Sequence, residues 1–125
     1  MRFFLLFLFI FRLIAGASGQ TPTIVLAPQP KPADAQAATV LQHYLREMTG
    51  GDIEIYTGLR IPSNGPVVLI GSHPNLPLVG LQAPPNLSGD AYFLQGKNNA
   101  FHIAGAGEMG AEYGVYDLLE RLGCR

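Results

Sequence analysis

The carboxy-terminal stretch AYFLQGKNNAFHIAGAGEMGAEYGVYDLLERLGCR, residues 91–125, carries the reading on which the fold turns. Ala91 to Gln95 and Ala100 to Ala104 are short runs with strand character, and Gly96-Lys97-Asn98-Asn99 between them predicts a four-residue β-hairpin. After Ala104 the period changes. Ala111, Val115, Leu118, Leu119 and Leu122 recur at helical spacing on one face, while Glu108, Glu112, Asp117, Glu120 and Arg121 lie mostly off it. Acidic residues near the start of this helix complement its positive end, and Gly123 is its predicted stop.

A second helix shows the same kind of stripe. Ala37, Leu41, Tyr44, Leu45 and Met48 line one face of a helix predicted over Ala33 to Thr49. Pro32 suits its entrance, and Thr49-Gly50-Gly51 supplies a left-handed stop. Thr23 to Ala27 is a β-branched, apolar strand, ended by three prolines within Pro28 to Pro32. Ile53 to Tyr56 reads as a short, half-exposed strand. Val67-Val68-Leu69-Ile70 is apolar throughout and predicts a central strand buried on both faces. Gly71 to Gly89, with Pro74, Pro77, Pro84 and Pro85, predicts a long irregular loop. Two one-sided helices need a sheet face to cover. The economical arrangement is therefore an α+β, two-layer sandwich with both helices on one face of a mixed sheet.

The amino terminus has a different character. Met1-Arg2 precedes an almost unbroken Phe, Leu and Ile run from Phe3 to Ile14, and Ala15-Gly16-Ala17 gives a small-x-small cleavage pattern. Residues 1–17 are thus expected to be a secretory signal peptide, and the localisation secreted or periplasmic. Arg12 interrupts the run well short of the roughly 20 apolar residues that a membrane anchor needs, so membrane contact is expected only through the signal peptide. Residues 18–125 form the predicted domain. The whole sequence of 125 residues carries 8 Lys+Arg against 9 Asp+Glu, a net charge of -1. Such a balance offers no basic stripe for nucleic acid. Its hydrophobic fraction of 48% excludes a wholly disordered chain. One cysteine, Cys124, cannot form an internal disulfide.

No catalytic constellation emerges from the motifs. Gly105-Ala106-Gly107-Glu108-Met109-Gly110 matches the dinucleotide fingerprint, but it follows the second arm of a hairpin, and no acidic residue lies about 20 positions further on. It reads instead as a tight strand-to-helix turn in which glycines let the backbone come close to the sheet. His43, His73 and His102 lack metal-ligand spacing; His43 is expected on an exposed helix position and His102 on the solvent face of its strand. Ser72-His73 are chain neighbours, which disfavours a nucleophile pair, and there is no G-x-S-x-G elbow. Glu54, Asp90 and the acidic face of the last helix read as solvated. Asn86-Leu87-Ser88 is a glycosylation sequon. No catalytic, cofactor-binding or metal-ligating residue is predicted.

Several segments taken together resemble a known family. They are Thr23 to Ala27, the helix through Ala37-Ala38-Thr39-Val40-Leu41-Gln42-His43-Tyr44-Leu45 to Met48-Thr49-Gly50, Val67 to Gly71, Ile103-Ala104-Gly105, and Tyr113-Gly114-Val115-Tyr116-Asp117-Leu118-Leu119-Glu120-Arg121-Leu122-Gly123-Cys124-Arg125. This set is similar to the non-catalytic N-terminal domain, of the chitobiase domain 2 kind, that precedes the (β/α)8 barrel in bacterial α-glucuronidases, β-N-acetylhexosaminidases and α-N-acetylglucosaminidases. The resemblance implies a mostly antiparallel sheet with two helices on one face. It also implies a catalytic barrel just after Arg125, so the chain is expected to be a truncated product or to have its barrel encoded separately. Family catalytic residues lie in that barrel, and none falls on a position here. The expected partners are the barrel and polysaccharide, and the expected domain interface is Tyr113, Tyr116 and Cys124. The alternative is a free-standing periplasmic carbohydrate-binding module using the loop Ser72 to Gly89, although that loop has no aromatic platform.

Overall fold

The computed structural model describes residues 21–123. The expected signal peptide, residues 1–17, and Cys124 lie outside the described residues. The elements in chain order are β1 (Thr23–Leu26), α1 (Pro32–Thr49), β2 (Ile55–Thr57), β3 (Val67–Ile70), a 3-10 turn (Leu76–Val79), β4 (Tyr92–Lys97), β5 (Ala100–Gly105) and α2 (Gly110–Arg121). They form an α+β fold with one five-stranded mixed sheet in the order β2-β1-β3-β5-β4.

The sheet departs from the mostly antiparallel pattern that the resemblance implies. β1 pairs parallel with both β2 and β3, β3 pairs parallel with β5, and only β4 and β5 run antiparallel. The physical reason lies in the runs themselves. Ile24, Val25 and Leu26, like Val67 through Ile70, are buried on successive residues and so on both faces, the pattern that parallel central strands require. The hairpin is also tighter than expected. Gly96 pairs with Phe101 and Lys97 with Ala100, so both belong to β4 and only Asn98-Asn99 form the turn. Asn98 takes a positive φ of 54° there, which asparagine tolerates better than most residues.

Both helices cover one face of the sheet. The stripe on α1 buries Ala37, Ala38, Leu41 and Leu45, and that on α2 buries Ala111, Val115, Leu118 and Leu119. These side chains meet Ile24, Leu26, Val68, Ile70, Phe101 and Ile103 from alternate strand positions. The helices also pack on each other. α1 ends at Gly50, whose N–H donates to the Arg46 carbonyl.

The opposite face is closed by the connections. Val25, Val67, Leu69 and Ala100 point that way and pack under Leu76 and Leu81 of the long loop, with Ile61 and Val79 alongside. The Gly71 to Gly89 segment is therefore a cover for the sheet, pinned by a short 3-10 turn that its prolines hide in the sequence. His73 is buried within it. The ring Nε2 lies 3.0 Å from the Gly58 carbonyl and Nδ1 accepts the Asn75 N–H at 3.1 Å, which ties the cover to the β2–β3 connection.

Candidate functional site

The parallel strands β1 and β3 end side by side, and the chain leaves β1 toward β2 on one side while β3 lies on the other. In open α/β sheets a crevice forms outside the carboxyl ends of strands at such a reversal. Two cavities of about 460 Å³ and 480 Å³ lie there in this chain and share Lys31 and Ser72 in their walls. The first is bounded by the start of α1 and by Ser72, His73 and Pro74 after β3. The second runs between the Pro84–Leu87 part of the cover and the Gly105–Gly107 turn.

Asp34 stands in the wall of the first cavity. It is 3% exposed, and its Oδ1 is buried without a hydrogen-bond partner. The residue lies in the first turn of α1, where a carboxylate ordinarily faces the positive helix end and water. Here it turns inward against Gly71. A Cβ at position 71 would overlap the Asp34 carboxyl, and Gly71 has a φ of +87°, so glycine satisfies both the space and the backbone. Burial pushes the Asp34 pKa above its ordinary 3.8, and Lys31 opposes that shift through its charge. Lys31 itself is exposed, and its Nζ approaches the Gly105 carbonyl at 3.4 Å.

Sequence reasoning did not single out Asp34. A signal was present nonetheless: positions 34, 37, 38, 41 and 45 make one helical stripe, and Asp34 is its only charged member.

The other polar centre lies on the covered face. His102 is fully buried there, contrary to the expectation of a solvent position, because Gly71 to Gly89 folds over the strand. Its Nε2 is 2.7 Å from the Gly71 carbonyl and its Nδ1 is 3.0 Å from Gln95 Nε2. Gln95 in turn donates to the Gln82 carbonyl at 2.6 Å and accepts the Gln82 N–H at 3.2 Å. That reciprocal pair fixes the amide orientation, so Gln95 donates to Nδ1 and the imidazole carries its proton on Nε2. Burial lowers the His102 pKa and outweighs the contribution of the Gly71 carbonyl. Both His102 and His73 thus serve the cover, and neither is free to act as a base for the exposed Ser72. His43 is on an exposed helix position beside Glu47, at 3.5 Å. Among the described residues, no group of three His, Cys, Asp or Glu side chains is placed to hold a metal ion.

The glycine-rich turn brings α2 against β5. A Cβ on Gly105 would collide with the backbone of Gly110 and Ala111, so the space above the strand end is filled by the helix itself. Asp90 accepts the Met109 N–H at 3.2 Å and ties the hairpin's approach to the same turn.

Tyr113 and Tyr116 lie on the outer side of α2, 45% and 44% exposed. Beside them Asp117 accepts from Tyr92 Oη at 2.9 Å and pairs with Arg121 at 2.9 Å. No helix among the described residues is long and apolar enough to cross a membrane. Comparison of the chain with protein-family models, with curated proteins and with solved structures finds no match.

Proposed function

We propose that this chain is a non-catalytic accessory domain of a secreted or periplasmic glycoside hydrolase, one that acts in polysaccharide degradation. Its α2 surface would dock on a (β/α)8 catalytic barrel. The resemblance of the Tyr113 to Arg125 segment to the domain that precedes such barrels motivates the reading. The observation that carries it is the pair of exposed tyrosines, Tyr113 and Tyr116, one helical turn apart on the outer side of α2. Aromatic side chains give large contact area at low conformational cost and are enriched at protein interfaces. The neighbouring Tyr92–Asp117–Arg121 cluster supplies a polar rim to that surface.

The experiment has two arms. The secreted chain alone is assayed on glucuronoxylan and chito-oligosaccharides, and no hydrolysis is expected. A (β/α)8 barrel of an α-glucuronidase is then supplied in trans and complex formation is followed by sedimentation. A complex that the Tyr113→Ser/Tyr116→Ser variant fails to form supports the proposal. Hydrolysis by the chain alone, or no complex with the wild-type domain, overturns it.

A further inference from the structure

We propose that the crevice at the carboxyl ends of β1 and β3 is a binding site for a small neutral polyol, of the monosaccharide class, with the Asp34 carboxyl as its anchoring group. This site is on different elements from the α2 docking surface and does not depend on it.

The fold leaves one buried polar atom unused. Asp34 is 97% buried, yet Oδ1 has no hydrogen-bond partner. Buried polar atoms in native proteins are almost always bonded, and an exception calls for a reason. Two sequence choices maintain this one. An acidic residue occupies an otherwise apolar helix stripe, and a left-handed glycine at 71 leaves the volume that its carboxyl fills. Replacing Asp34 by an apolar residue would remove an unfavourable burial, so the carboxyl is costly to the fold, and its place in the cavity wall points to a ligand as the compensation.

The surroundings define the ligand. Lys31 and Asp34 place one cation and one acid at the same cavity, which gives no net preference for an anion or a cation. Ser72 adds a hydroxyl to that wall, and Ala27, Pro30, Ile70 and Pro74 add apolar surface. Hydroxyl groups can bond to Lys31, Asp34 and Ser72 alike, since each hydroxyl both donates and accepts. The C–H face of a sugar ring suits the prolines. A volume of about 460 Å³ lies in the range of small-molecule sites and accommodates one sugar ring. The second cavity, whose wall shares Lys31 and Ser72 with the first, lies along the Gly105–Gly107 turn.

The test is a titration of the isotopically labelled secreted chain, followed by backbone amide NMR, with glucose and N-acetylglucosamine. Glucuronate and the zwitterion alanine serve as charged comparators. Saturable shifts confined to Lys31–Ala35, Gly71–Ser72 and Gly105–Gly107 with a neutral sugar are expected. Asp34→Asn keeps the shape but loses the charge-assisted hydrogen bond, and should weaken the affinity by about tenfold or more while the fold persists. Asp34→Ala should abolish the shifts. The proposal is overturned if only glucuronate or alanine binds, if neither neutral sugar gives saturable shifts, or if sugar binding is the same in the Asp34→Asn variant. Failure of the barrel experiment leaves this result untouched, because no barrel enters it.

Discussion

The carboxyl group of Asp34 occupies the volume in which a side chain at position 71 would begin. The two residues belong to different elements, the first turn of α1 and the end of β3, and each restricts what the other can be.

Gly71→Ala should therefore be destabilising for two separable reasons. A φ of +87° is strained for any residue with a Cβ, at about 1–3 kcal/mol, and the new methyl overlaps the Asp34 carboxyl. Urea denaturation of the single variant and of Gly71→Ala/Asp34→Ala separates them. The double variant should recover the steric part and retain the backbone part, so the two changes will be non-additive.

Asp34 also sets a pH dependence whose sign is unusual for a carboxylate. Burial raises its folded pKa above the ordinary 3.8, so the folded state holds that proton more tightly than the unfolded chain. Its contribution is fully present below 3.8 and is lost as pH rises through the raised folded value. Asp34→Asn should accordingly be more stable than the wild type at neutral pH, and the difference should shrink on acidification. Thermal melts across a pH series measure this.

His102 acts in the opposite direction. Its folded pKa lies below the ordinary 6.5, so its contribution is present above 6.5 and is lost as pH falls through that value toward the folded one. Protonation at Nδ1 would set an N–H against the Gln95 amide donor. His102→Leu should cost about 1–3 kcal/mol by stranding the Gly71 carbonyl and the Gln95 amide, and should flatten this part of the profile. Comparison of the two variants over the same pH series assigns each limb to its residue.

Gly105→Ala tests the closeness of β5 and α2. The added methyl meets the backbone of Gly110 and Ala111, which cannot rotate away as a side chain would. A loss of about 3 kcal/mol is expected, seen as a lowered denaturation midpoint with the helix content retained. By contrast, Tyr113→Ser and Tyr116→Ser should each cost only about 1 kcal/mol, because the side chains are 45% and 44% exposed and fill no part of the core.

The two helices were legible because a 3.6-residue period survives in Ala37–Met48 and Ala111–Leu122 whatever surrounds them. Strand direction was not. Val67–Ile70 announces burial on both faces, but the neighbours that bury it come from Thr23–Leu26 and Ala100–Gly105, more than 30 positions away on each side. Leu76 and Leu81 carry no period, so nothing local shows that they close a sheet face, and His102 was misread for the same reason. Tyr113 and Tyr116 are exposed on the outer side of α2. Asp34 was hidden by its commonplace role, since an acid in the first turn usually needs no further explanation.

One face of the sheet is sealed by ordered helices, and the other by a ribbon whose only regular piece is one short 3-10 turn. A protease that nicks this ribbon would do more than free a surface strap: it would turn Val25, Leu69 and Ala100 outward and convert a discrete particle into an adhesive one. Survival of the protein under digestion is thus governed by its least regular segment, and shortening that segment for crystallisation or engineering would sacrifice the smaller of its two cores.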